Sequence, residues 1–533
     1  MGYGLSSALN RISRWVSEDL QGLSFLRQNY RGIPKGLYTY KYKDQDGWDR
    51  RLHLRVEGDG AGKLFVDVTD VIHLDRSSVE IVKLALDGCP SSLAKSLLSG
   101  KYKRGGAQLK ADVDRLYTVV DHFLAGTEGC QTCALTGLLS TAPLFSLDAG
   151  APYKIDLALT YGCNNQCPHC YNEPGRLAMP SLPLEKWKRV LDKIAEIGIP
   201  HVILTGGEAT LHPDFLEIVR YADGLGMVVG LNSNGRYLAH TGFMQQVATA
   251  GLNHVQITLG SHIADIHNQM MGANSFHQTV MGISTAIESG VHVITNTTLI
   301  RSNAEQAEEI IDFIFDLGIR TFAMNGMIYS GGGFENPEAL RENELLPLLA
   351  SIKAYADTKG MRFLWYTPTE YCRFSPFEIG IDVKRCNAGE YSVCVEPNGD
   401  VLPCQSYYVS AGNIVEDRWE DIWNSELFRS FRDRKYDPQG VGLPEECWDC
   451  PDFEVCGAGC RIEREAREGI RVAEVAGGGC IGCTGFSSSK EERAAFISAQ
   501  AVFTAEEGGF VPNTSQADFR KRSSGDIKMR GEG

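Results

Sequence analysis

The sequence predicts an α/β protein. Its expected centre is a partial (β/α)6 barrel, open on one side. A small winged-helix-like α+β domain precedes the barrel and a cysteine-rich domain follows it. Three observations predict this. From Lys154 onward, strand and helix patterns alternate six times. Residues 51–126 read as strands and then helices. Ten of the sixteen cysteines lie between Cys372 and Cys483.

Residues 1–50 are of mixed character and are read as an N-terminal extension. From Arg51 the pattern sharpens. "RLHLRVE" and "KLFVDVTDVIHL" alternate apolar and polar residues, as half-buried strands do. "SSVEIVKLALDG", "SSLAKSLLSG" and "ADVDRLYTVVDHFLAG" read as helices. Two of them open on serines suited to N-capping, and all three end on glycine. Residues 127–151 are rich in Gly, Ser and Thr and read as a linker. They carry Cys130 and Cys133 as a C-x2-C pair, for which free or accessory thiols are as good a reading as ligands.

Residues 152–365 hold the barrel. Its six strands are "KIDLALT", "HVILTGG", "MVVGLNSNG", "HVQITLG", "VHVITNTTLI" and "RTFAMNGMI". Amphipathic segments separate them. In "LPLEKWKRVLDKIAEIG", Trp187, Val190, Leu191 and Ile194 share one face at helical spacing. Repeated βα units with near-continuous apolar strands imply a parallel sheet covered by helices. Ligands of such sheets sit beyond the carboxyl ends of the strands. Residues 366–485 are loop-rich, and bound metal would supply the stability that apolar burial there does not. Residues 486–533 are polar and are expected to be a disordered tail.

Bulk composition narrows the function. Of 533 residues, 43% are hydrophobic and 22% charged, which is ordinary for a globular protein. A net charge of -15 argues against nucleic acid as a partner. No apolar run reaches the roughly 18 residues of a membrane span, and the N-terminus lacks the apolar core of a secretory signal. A cytoplasmic location is expected. In a reducing compartment, clustered thiols point to metal or redox chemistry.

The most informative stretch is "YGCNNQCPHCYN", where Cys163, Cys167 and Cys170 follow a C-x3-C-x2-C spacing. It lies in the loop after the first barrel strand. A four-iron cluster held by three thiolates keeps one iron open to a small chelating ligand. "CNNQCPHC" resembles the signature of radical S-adenosylmethionine (SAM) enzymes. "TGGEAT", from Thr205, resembles that family's GGE motif, and "NSNG", Asn232 to Gly235, occupies its third-strand position. The resemblance covers about residues 152–365. It implies a [4Fe–4S] cluster on Cys163, Cys167 and Cys170, and one-electron reductive cleavage of SAM. It further implies that His169 lines the adenine and that Gly206, Gly207 and Glu208 receive the methionine part. Ser233, Asn234 and Thr258 join the cofactor site by position. Two departures stand out: Gly260 replaces the family's Asp in "TLGS", and Met271 replaces its Arg in "HNQMMG".

The second cysteine cluster resembles the SPASM extension of radical SAM enzymes. Cys386, Gly399 and Cys404 give C-x12-G-x4-C, and Cys447, Cys450, Cys456 and Cys460 give C-x2-C-x5-C-x3-C. The resemblance implies two auxiliary iron–sulfur clusters. Cys386, Cys404 and Cys460 would serve the first. Cys447, Cys450 and Cys456 would serve the second, with Cys480 or Cys483 as its fourth ligand. Cys394 and Cys372 are candidates for the fourth place on the first, an iron left open to substrate is a further reading, and Cys394 reads equally well as a buried structural thiol. Residues 51–126 resemble the small peptide-recognition domain of ribosomal-peptide maturases, which is similar to the pyrroloquinoline-quinone peptide chaperone. The expected function is therefore peptide maturation. Its partners are a precursor peptide with a leader and a reductant such as flavodoxin or ferredoxin. Maturation of a partner enzyme or modification of a tetrapyrrole is a second reading. A non-catalytic electron-transfer or zinc-stabilised interaction protein is a third.

Overall fold

The computed structural model describes residues 32–43, 49–68, 70–102, 106–125, 140–142, 145–469, 502–505 and 509–512. Cys130, Cys133, Cys480 and Cys483, and most of the extension, lie outside them. The chain divides into two compact units, the second beginning at Ala151.

The first unit is built on an antiparallel meander: β1 (Gly36–Lys43), β2 (Asp49–Val56), β3 (Gly62–Val66) and β4 (Asp70–Leu74). Helices α1 (Arg76–Leu86), α2 (Ser91–Lys101) and α3 (Gly106–Ala125) follow, and then a short strand, β5 (Ser140–Ala142). Strands then helices were expected, but three details differ. The boundary at residue 51 cuts a hairpin, because "GLYTYKYK" pairs along its whole length with β2, from Gly36 opposite Val56 to Lys43 opposite Asp49. "KLFVDVTDVIHL" is two strands, since Asp67 and Val68 adopt positive φ and reverse the chain between them. The serines do not cap. Asp75 caps α1 by accepting from the Ser78 amide at 2.6 Å, and α2 starts after Pro90. Leu54, Leu64, Ile72, Val113, Leu116 and Val120 form part of the shared core. Two short strands within the expected tail, Val502–Ala505 and Gly509–Pro512, also pair with β4.

The second unit centres on a nine-stranded sheet. The six expected strands are present in parallel: β6 (Lys154–Thr160), β7 (His201–Gly206), β8 (Val228–Ser233), β9 (His254–Thr258), β10 (His292–Thr298) and β11 (Thr321–Asn325). Helices separate them. The first of these, α4 (Leu184–Ile197), buries Trp187, Val190, Leu191 and Ile194, as their spacing predicts. Yet the sheet does not stop at six strands. A seventh parallel strand, β12 (Arg362–Trp365), pairs with β11, and its four residues are too few to show a period. On the other side, β13 (Ser392–Val395) from the cysteine-rich segment runs parallel to β6, and β14 (Val401–Leu402) returns beside it. The turn between them is the "PNGD" hairpin, with Gly399 at φ +96°. The barrel and the cysteine-rich segment therefore share one sheet. Among the described residues no helix is long and apolar enough to cross a membrane.

Candidate functional site

The carboxyl ends of β6, β7 and β8 form one continuous contact surface. Thr160 ends β6, and the next residues lead into the Cys163 loop. Gly206 and Gly207 press against that lead. A Cβ on Gly206 would stand 2.0 Å from the Thr160 carbonyl oxygen, and one on Gly207 would stand 2.4 Å from that of Tyr161. No side chain fits at either place. Backbone bonds complete the contact: Gly207 N donates to Thr160 O at 2.7 Å and Glu208 N to Gly162 O at 2.9 Å.

Glu208 ties this surface to the third strand. Its side chain is fully buried. Oε1 accepts from Thr210 Oγ1 at 2.7 Å and Ser233 Oγ at 2.9 Å, and Oε2 accepts from Asn234 N at 2.8 Å. Burial raises its pKa, and these bonds pull it back towards the ionised form. Asn234 Nδ2 in turn donates to Asn164 Oδ1 at 2.6 Å, inside the cysteine loop. Glu208, Ser233, Asn234 and Cys163 thus belong to one connected constellation. Thr258 ends β9, half-buried, further along the same edge. His169 lies half-buried between Cys167 and Cys170; burial lowers its pKa and keeps the ring neutral.

Three features around the cysteine loop escaped sequence reading. Arg236 bonds Asn164 O and, at 3.0 Å, Asn165 Oδ1. The segment Ser330–Gly333, after β11, clamps the far side of the loop. Gly332 N donates to Cys170 O at 2.7 Å, and a Cβ on Gly331 would meet the carbonyl oxygens of Asn172, Cys170 and Tyr171 at 2.6–2.7 Å. The three consecutive glycines were the available signal. Finally, Tyr408, from the cysteine-rich segment, donates to Asn172 Oδ1 at 3.0 Å.

The departures noted in the sequence have a structural place. Met271 O accepts from Gln166 N at 3.0 Å, and the Met271 side chain packs beside Cys167. A Cβ on Gly272 would stand 2.1 Å from Gln166 O. Where the family has a charged Arg, this chain lays an apolar thioether along the thiol loop.

The thiols of the C-terminal segment gather in two groups. Cys386, Cys404 and Cys460 meet around Tyr407, Phe431 and Ile462. Cys447 and Cys450 pack on Leu443, Phe453 and Ala458, and Cys456 lies within electrostatic reach of Cys450. Cys394 is fully buried among Ala158, Tyr161, Leu402 and Tyr408, packed as a core residue. Cys372 follows Tyr371, whose amide donates to Cys456 Sγ at 3.3 Å, so along the chain it neighbours the second group.

Iron–sulfur ligation fits these donors. Burial pushes Cys167 up to about 12, with Cys170 and Cys163 adding to the effect. Burial likewise pushes Cys404 to about 12 and Cys456 to about 11. Thiols gathered out of water favour the neutral form unless a cation offsets their charge, and cluster iron is such a cation. Among the described residues no three His, Cys, Asp or Glu side chains are grouped closely enough for a single metal ion.

Comparison with known proteins defines the class. The model of the radical SAM superfamily matches residues 157–314, and that of the SPASM iron–sulfur cluster-binding domain matches residues 386–451. The chain therefore carries a radical SAM domain followed by a SPASM domain, and it is an enzyme whose cofactors are SAM, a [4Fe–4S] cluster and auxiliary iron–sulfur clusters. Among particular relatives, it is 27% identical to an AdoMet-dependent heme synthase of Oleidesulfovibrio alaskensis, over 62% of this chain and 88% of that one. It is equally 27% identical to a PqqA peptide cyclase of Xanthomonas campestris pv. campestris, over 60% and 84%. In fold it is similar to Streptococcus suis SuiB bound to its precursor peptide SuiA, with a TM-score of 0.57 and 16% identity over 80% of this chain and 96% of that chain.

Proposed function

We propose that the protein is a radical SAM maturase of a ribosomally made peptide, joining or oxidising residues of that peptide after hydrogen abstraction from a C–H bond. The observation that carries this reading is the joint occurrence of the barrel-mouth thiol loop and two further thiol groups with an N-terminal strand-then-helix unit. A peptide cyclase among the relatives supports it. So does a fold likeness to a precursor-peptide enzyme that reaches well beyond the radical SAM span. The bound cofactors supply reductive cleavage of SAM and the 5′-deoxyadenosyl radical that takes the hydrogen atom.

The residues of this chain bind and orient. Cys163, Cys167 and Cys170 hold three irons at the mouth. Gly206 and Gly207 let backbone approach the methionine part of SAM, with Glu208, Ser233, Asn234, Thr258 and His169 around it. Cys386, Cys404 and Cys460 hold the first auxiliary cluster. Cys447, Cys450 and Cys456 hold the second, with Cys480 or Cys483 completing it. Residues 51–126, with β1, recognise a leader peptide by strand addition, and a flavodoxin or ferredoxin supplies electrons.

The test is anaerobic reconstitution with reductant, SAM and short precursor peptides encoded beside the gene. Production of 5′-deoxyadenosine together with a peptide lighter by two hydrogens supports the reading. SAM cleavage that leaves every peptide unchanged overturns it. The relation to a heme synthase motivates the second reading, which the same assay supports if an added tetrapyrrole is converted instead.

A further inference from the structure

Tyr329 occupies a position that no other described residue shares. It lies in the loop after β11, half-buried. On one side it packs with Met270, Met271, Ile300 and Met327, the group against which Cys167 also rests. On the other it packs with Cys386, Tyr407, Phe431 and Ile462, the group that takes in Cys404 and Cys460. It is the one described residue common to both groups. Its backbone is fixed, because the next residues, Ser330–Gly333, are the clamp on the Cys170 loop. The point from which the ring projects is therefore held in register with that loop.

The hydroxyl has a distinctive setting. It makes no hydrogen bond among the described residues. The charged side chains in its neighbourhood are already engaged with one another: Arg467 bonds Glu370 at 2.6 Å, Glu342 at 3.1 Å and Glu463 at 3.4 Å. A half-buried phenol with no internal partner is a donor available to something that arrives from outside.

We propose that Tyr329 is a positioning residue that couples the SAM side of the barrel to the first auxiliary thiol group. Its hydroxyl binds the substrate segment between them, so that the carbon losing hydrogen stays aligned with both. This rests on the proposed peptide-maturase reading.

The test uses full-length Tyr329→Phe, reconstituted anaerobically beside the wild type. Phe keeps the ring packing, so iron content stays equal. Two readouts follow. Without peptide, SAM addition alters the auxiliary-cluster electron paramagnetic resonance signal of the wild type and of Tyr329→Phe, which keeps the ring, whereas Tyr329→Leu, which removes it, loses that response. With peptide, the ratio of 5′-deoxyadenosine to modified product rises at least about tenfold, the scale set by losing a roughly 1.4 kcal/mol contact. An unchanged response in Tyr329→Leu, or an unchanged ratio in Tyr329→Phe, at equal iron content overturns the proposal. Loss of iron by Tyr329→Phe also overturns it, because the role is then structural. If the wild type modifies no peptide, the maturase reading fails, while the peptide-free response still decides whether Tyr329 links the two centres.

Discussion

Gly331→Ala is the sharpest probe of how the thiol loop is held. Gly331 has φ +53°, and its Cα faces three carbonyl oxygens of the loop. An alanine there keeps a left-handed backbone that costs about 1–2 kcal/mol. Its methyl would also stand 2.6–2.7 Å from the oxygens of Asn172, Cys170 and Tyr171. These are backbone atoms, so the loop itself must move by several tenths of an ångström, at a cost of about 1–3 kcal/mol. The sum is about 2–5 kcal/mol, or roughly thirty-fold to a few thousand-fold at 1.4 kcal/mol per decade. It falls on the geometry of Cys170 rather than on the distant core. The expected result is a protein that folds with a near-normal melting transition, loads less iron at Cys163, Cys167 and Cys170, and cleaves SAM slowly. Gly242→Ala is the control, since a Cβ there meets nothing within 4 Å. Iron counting, resonance spectra and 5′-deoxyadenosine formation read the outcome. A Gly331→Ala protein with full iron and undiminished SAM cleavage would refute the idea that this segment clamps the loop.

Other outcomes follow from the same contacts. Glu208→Gln replaces an acceptor-only carboxylate with a group that presents donors to Ser233, Thr210 or Asn234 N–H, costing about 1–3 kcal/mol; SAM affinity should drop about fivefold to a hundredfold in calorimetry, and undiminished affinity would count against the constellation. Cys404→Ser and Cys456→Ser should each remove iron from a different group, so the double variant should lose the sum; a double variant no worse than one single would merge the groups. Burial lowers His267 to about 4, where it accepts from Gly260 N at 3.2 Å and neighbours Ser275 Oγ. An unfolded histidine titrates near 6.5, so between about 6.5 and 4 the unfolded chain binds a proton that the folded chain refuses. Stability is present above that window and falls as pH drops through it, by about 3 kcal/mol for this residue. His267→Gln should flatten the urea midpoint against pH there; the slope shrinks rather than vanishes, because His254 is lowered to about 3 in the same sense.

Where a feature is written in local spacing, the sequence alone was enough to place it on the fold. The three-thiol run, the paired glycines before Glu208 and the six apolar strands each lie within one short stretch, and a strand–loop unit puts its own loop at the sheet's carboxyl edge whatever the rest of the chain does. The two departures, Gly260 and Met271, were visible as well, but their consequence was not. Long-range contacts needed the tertiary structure. The clamp of Gly331 on Cys170 spans some 160 positions of chain, and the joining of β13 to β6 more than 230. The gathering of Cys386 and Cys404 with Cys460, and the place of Tyr329 against both thiol groups, arise only once the sheet has assembled. Sequence patterns report the period of a single element. Which elements meet is decided by burial and by the close approach of backbones, and no local pattern encodes those.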